Sequence, residues 1–282
     1  MFGRGKVPSK SVDDLLAMRR AGLVVAAALD EVVQACRAGV TTADLDHVAT
    51  DAITSRGGRP SFPEVPGYRH TLCVSVNEQV VHGIPGPREL LLGDVVSVDC
   101  GAVVQGWHGD AAVSVVVGGP DAARTEDLEL IEVTRGALWA GIGAMVVGHR
   151  IGHIGSAVED FVTAHAEAGG SRLGIVDGYE GHGIGRSMHM APGVPNIRTR
   201  HRGPVITSGT TLAIEPMLSA GDERTYEMPD GWTAVTVDGS RAAHWEHTVA
   251  VTDEGLWVLT ATDGGAAELT ARGLPFAPLD QD

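Results

Sequence analysis

The chain has 282 residues, 43% of them apolar and 38 of them glycine, a composition that supports a globular core and excludes a fibrous or disordered chain. Its formal charge of −15, from 36 acidic and 21 basic residues, disfavours non-specific hold on nucleic-acid backbones, so no specific DNA binding is expected. Cys36, Cys73 and Cys100 lack the spacing of a disulfide framework or a thiolate metal site, which favours a reducing compartment, the cytoplasm.

In chain order, residues 1–10 carry Arg4, Lys6 and Lys10 with no apolar run behind them, so neither a leader nor a membrane anchor is expected, only a flexible basic segment. Ser11 followed by Asp14 forms a capping box, and Leu15, Met18, Gly22, Val25 and Leu29 recur at helical spacing, predicting a helix over 12–37. Thr41 with Asp44 opens a second helix that stops at Gly57-Gly58. The alternation Asp94-Val-Val-Ser-Val-Asp99 predicts a strand, a polar turn over 105–108 and a returning strand ending near Val117. Helices are predicted over 121–139 and 154–168, then a strand over 205–217, a hairpin pairing 232–237 with 242–251, and a short strand over 256–260. The run from Gly136 to Gly148 is apolar but too short to span a bilayer. Periodicity is lost from Asp263 onward, predicting a C-terminal tail over 263–282 that is either a terminal cover or frayed.

The two halves echo each other. Gly93-Asp-Val-Val-Ser-Val-Asp99 matches Gly209-Thr-Thr-Leu-Ala-Ile-Glu215, and His82-Gly-Ile recurs as His182-Gly-Ile. The expected fold is α+β: pseudo-two-fold halves, about 11–120 and 121–262, sharing one curved antiparallel sheet covered by helices, with a cleft between them.

Five residues stand out chemically. A hairpin linking Asp99 to Asp110 brings two carboxylates together, an arrangement that needs a shared proton or cation. Glu215 ends an apolar strand, Glu246 lies in the predicted hairpin within Trp-Glu-His-Thr, and His182 is flanked by glycines. Carboxylates with neutral imidazole suit Mn, Fe, Co or Zn, and two such cations make hydrolysis the natural reaction class. No complete dinucleotide or phosphate-loop signature is present.

Taken in order, Ser75-Val-Asn-Glu-Gln-Val-Val-His-Gly-Ile-Pro85, Val98-Asp-Cys-Gly101, Gly106-Trp-His-Gly-Asp110, Gly181-His-Gly-Ile-Gly185, Ala213-Ile-Glu-Pro-Met217 and Trp245-Glu-His-Thr248 resemble the type I methionine aminopeptidases of the creatinase and aminopeptidase P, or pita-bread, family. The resemblance runs from about Lys10 to Thr260 and implies one catalytic domain over 11–262, in the short bacterial form without an added N-terminal domain. It implies that Asp99 holds one metal, His182 and Glu215 the other, and Asp110 and Glu246 bridge both. It further implies that His82 hydrogen-bonds the scissile amide nitrogen, that His189 contacts the substrate carbonyl, and that Glu215 shuttles a proton. Tyr68, Cys73 and Trp232, with Met188 close by, would line the pocket for the methionine side chain, which limits the second residue to small ones. The implied substrate is the N-terminal methionine of nascent polypeptides, met by a monomer with a transient ribosome contact.

The sequence departs from the family at Met188, Met190-Ala191, Phe62, Val65 and Pro66. A proline-directed aminopeptidase of the same fold is the enzymatic alternative, though chain length and the 75–85 segment argue against it. A non-catalytic relative that binds ribosomes or partner proteins would be expected to lose metal ligands, and all five are present.

Overall fold

The computed structural model describes residues 7–279. Its first helix, α1 (Val12–Ala35), starts at the expected capping box: the Asp14 amide donates to Ser11 Oγ and the Ser11 amide to Asp14 Oδ2. Thr41 and Asp44 cap α2 (Thr42–Ser55) in the same way. The second half contributes α3 (Thr125–Gly143) and α4 (Gly152–Glu167), each offset by a few residues from its predicted span.

A nine-stranded, wholly antiparallel sheet joins the two halves. Strands Val95–Val104 and Trp107–Val116 pair along their whole length around the two-residue turn Gln105-Gly106, which is tighter than predicted. Both turn residues have positive φ, 50° and 79°, as a hairpin twisted in the favoured sense requires. The strand Glu246–Val251 is the seam: its start pairs with Trp107–Val116 and its length with Thr210–Ile214. Beyond that strand lie Gly181–Gly183 and Met190–Val194.

Pleat parity assigns the two faces of this sheet. Val96, Val98, Cys100 and Ala102 point one way and pack in one cluster with Val25, Leu29 and Val32 of α1 and Leu45, Ala49 and Ile53 of α2. Leu212, Ile214, Val249 and Val251 do the same beneath Leu138, Trp139 and Ile142 of α3. With helices on that face, the residues of opposite parity, Asp99, Asp110 and Glu246 among them, are left to the inner face.

Three expectations need correction or completion. The predicted hairpin of 232–237 with 242–251 does not form. Ala234–Thr236 pairs with Thr225–Glu227 and Gln79–Val81, while the chain breaks at Trp245 into Ala242–His244, paired with Met217–Ser219, and the seam strand. The alternation was right but the partners were non-local. Of the flexible segment expected over 1–10, residues 1–6 lie outside the described residues. Val7 is buried in the core cluster of the second half, and the Lys10 amide donates to the Gly209 carbonyl. Of the two forms expected for the tail, residues 263–279 take the covering one: they carry the short helix α5 (Ala266–Ala271), with Leu269 buried and Phe276 bridged to Leu256. No helix among the described residues is long and apolar enough to cross a membrane.

Candidate metal centre

Strand register brings the candidate ligands together. Asp99 pairs with Ala112, and Ala112 with Glu246, so one ladder row carries two carboxylates on the inner face. One pleat along, Asp110 is held by Thr248, whose hydroxyl donates to the Asp110 carbonyl and accepts its amide. Thr248 pairs with Ala213 and Ala213 with His182, which sets the imidazole in the same row as Asp110. The register continued one residue past Ile214 sets Glu215 beside Glu246. The glycines flanking His182 permit this approach: a Cβ on Gly181 would meet the Ala213 carbonyl oxygen, and one on Gly183 the Ala191 carbonyl.

Ligand atoms of Asp110, His182 and Glu246 lie within 4.8 Å of one another. His182 Nε2 is 3.5 Å from Glu215 Oε1 and 4.0 Å from Asp110 Oδ2. Its Nδ1 lies 3.0 Å from the Gly183 carbonyl, which can only accept, so Nδ1 bears the proton and Nε2 offers its lone pair to the cluster. Asp99 Oδ1, Asp110 Oδ1 and Glu246 Oε1 are sealed from solvent without a hydrogen-bond partner.

Burial pushes the Asp99 carboxyl up to about 7. Burial, reinforced by neighbouring carboxylates, holds Asp110, Glu215 and Glu246 well above the usual range. Burial also lowers His182 to about 4, keeping it neutral. Four carboxyls crowded with a neutral imidazole, three of their oxygens orphaned, form a site that a divalent cation satisfies. The donor set fits such an ion.

All eleven residues singled out in the sequence line one cavity of about 120 Å³, together with Phe62 and Val65. Its apolar end is a cluster of Phe62, Tyr68, Cys73 and Met188 with Val65 and Trp232 packed on it. The Tyr68 and Trp232 rings meet edge-on at 5.0 Å, and the Tyr68 hydroxyl donates to the Leu72 carbonyl, which fixes its ring. Between the two ends stand His82 and His189. His82 has φ 59°, a left-handed conformation that costs a non-glycine residue about 1–3 kcal/mol. Burial lowers its pKa to about 4. The His189 ring lies edge-on to His182, centroids 4.5 Å apart, and burial lowers its pKa too.

Sequence reasoning missed His244. It is buried, lowered to about 3 by burial, and its Nε2 lies 3.8 Å from Glu215 Oε2. Its position two residues before Glu246, and so on the same side of an extended chain, was the available clue. Asn196, whose amide donates to the Glu215 carbonyl, was missed as well and carried no clue.

Residues 17–253 match the model of metallopeptidase family M24. The chain is 50% identical over 259 residues to methionine aminopeptidase 1 of Mycobacterium tuberculosis, covering 92% of this chain and 96% of that one. It is 39% identical over 251 residues to methionine aminopeptidase 1 of Bacillus subtilis, covering 89% and 98%. The crystal structure of methionine aminopeptidase from Thermotoga maritima superposes with a TM-score of 0.84 at 40% identity, over 90% of this chain and 99% of that one. The helix-flanked curled sheet, the buried carboxylate–histidine cluster and these matches agree: the chain belongs to metallopeptidase family M24, among its type I methionine aminopeptidases.

Proposed function

We propose that the protein removes the N-terminal methionine from peptides and nascent proteins, using two divalent cations held by Asp99, Asp110, His182, Glu215 and Glu246. The observation that carries this reading is the closure of one cavity by a buried carboxylate–histidine cluster at one end and a small apolar cluster at the other. Soft, shape-based contacts from Met188, Cys73, Tyr68 and Trp232 suit a thioether.

Cations bound there would supply Lewis acidity toward the scissile carbonyl and lower the pKa of water. The reaction adds water across the amide bond. Glu215 takes the proton from the attacking water and passes it to the departing amine. His82, neutral over the working range, hydrogen-bonds the scissile nitrogen, while His189 donates to the carbonyl oxygen as negative charge builds on it. The apolar end would bury the methionine side chain, and the small size of the cavity would favour small second residues. Three free buried cysteines suit the reducing cytoplasm. There the enzyme would work as a monomer beside the ribosome.

The choice of cation follows supply as well as affinity, so Co, Mn, Fe and Zn are all candidates. A peptide panel separates the readings. Met-Ala-Ser should be cleaved far faster than Met-Leu-Ser, and Ala-Pro-Ala should be left intact. Preferential cleavage of Ala-Pro-Ala would transfer the assignment to a proline-directed enzyme.

A further inference from the structure

Glu215 is flanked by two imidazoles, one on each carboxylate oxygen. His182 Nε2 lies 3.5 Å from Oε1, and His244 Nε2 lies 3.8 Å from Oε2. The second contact has no role in the reaction outlined above. His244 is 1% exposed, and its Nε2 is sealed from solvent without a hydrogen-bond partner, a costly arrangement unless a partner comes within reach. Glu215 Oε2 is the carboxylate oxygen paired with it.

The histidine is held in place from its backbone. Its amide donates to Ser114 Oγ at 2.8 Å, and the Ser114 hydroxyl donates to its carbonyl at 2.8 Å. Ser114 is braced in turn by Ser97 Oγ, also at 2.8 Å. Across the sheet His244 pairs with Met217, and the Trp245 amide donates to the Pro216 carbonyl, so the segments carrying His244 and Glu215 are tied side by side. Such anchoring fixes the backbone from which the imidazole projects, beside the segment that carries Glu215.

We infer that His244 is a positioning residue: its Nε2–H donates to Glu215 Oε2 in the metal-loaded protein and so presents Oε1, on the His182 side, as the ligand atom. A metal-ligating carboxylate fixed by an outer hydrogen bond is better pre-organised, and loss of such a partner typically costs 10–100-fold in metal affinity. The inference rests on the proposal that Glu215 is a metal ligand.

Glutamine and methionine are close in length and volume, and only glutamine donates a hydrogen bond, so His244→Gln and His244→Met separate bonding from packing. In calorimetric titration of metal-stripped protein with Mn²⁺, the wild type should show two sites. His244→Met should weaken one of them by about 10–100-fold and spare the other, while His244→Gln should stay within about threefold of wild type. Turnover of Met-Ala-Ser should fall in kcat more than it changes in KM for the methionine variant. Independently of any variant's folding, nitrogen-15 NMR of loaded wild-type protein should show His244 as the Nε2–H tautomer. Equal weakening in both variants, no weakening in either, or an Nδ1–H tautomer would overturn the positioning role. A wild type with a single site would overturn the two-cation reading alone, and the role would then stand or fall on whether His244→Met weakens that site while His244→Gln spares it.

Discussion

His247 shows how neighbouring residues on one strand divide the labour. Glu246 faces the cluster, while His247 faces the outer layer, where its ring meets Trp139 edge-on at 5.7 Å and its Nδ1 lies 2.9 Å from Thr260 Oγ1. Burial lowers its pKa from 6.5 to about 4. A histidine depressed in this way binds its proton more readily in the unfolded chain. The stability it contributes is therefore whole above pH 6.5 and is lost as pH falls through about 4. The loss is on the order of 3 kcal/mol. Thermal midpoints measured between pH 7 and pH 4 should fall less steeply for His247→Gln than for wild type; parallel curves would contradict the assignment. At this scale the sequence was most informative about the residues that gather in the buried cluster, because a carboxylate in an apolar strand such as Thr-Leu-Ala-Ile-Glu is conspicuous. For His244 it offered only the spacing to Glu246, because the contact with Glu215 depends on the partner strand.

Between elements, the decisive feature is how closely Gly181–Gly183 approaches its neighbours. The His182 imidazole enters the Asp110 row only because its flanking residues have no side chains. Gly181→Ala places a methyl against the Ala213 carbonyl, and the strand must move away. We predict a destabilisation of about 2 kcal/mol and at least about tenfold weaker cation binding, although no ligand is changed. Calorimetry and denaturant unfolding would read both, and unaltered cation affinity would show that the approach has slack. Capping boxes and the Asp94–Val117 hairpin were legible in sequence because their determinants are local. The 232–251 region was misread for the opposite reason. Its strands alternate correctly, yet Ala234–Thr236 finds its partners at 225–227 and 79–81, and Trp245 divides the following run between two sheets. The internal echo of 93–99 and 209–215 did point to the right architecture, because each segment ends in a carboxylate on the shared sheet.

Over the whole molecule, the two halves are joined by more than the seam strand. Arg19, on α1 of the first half and only 7% exposed, donates to the carbonyls of Leu259 and Thr262 at 2.8 Å each and to that of Ala261. Its guanidinium also lies over the Trp257 ring at 5.6 Å. Arg19→Met should cost about 3 kcal/mol, read by denaturant unfolding, with methionine release unchanged for the protein that remains folded. A loss below about 0.5 kcal/mol would show that α1 is held by its apolar face alone. No motif announced this arginine, since its partners are backbone carbonyls some 240 residues away. Joining the halves matters because the cluster draws Asp99 and Asp110 from one and His182, Glu215 and Glu246 from the other.

The most direct test of a cation-dependent peptidase centre is release of free methionine from Met-Ala-Ser by metal-stripped protein, with Co, Mn, Fe or Zn added back singly. The account predicts no release from stripped protein, recovery with at least one cation, and none with any cation for Asp110→Asn. Release by stripped protein at the loaded rate, or full activity of Asp110→Asn, would contradict it.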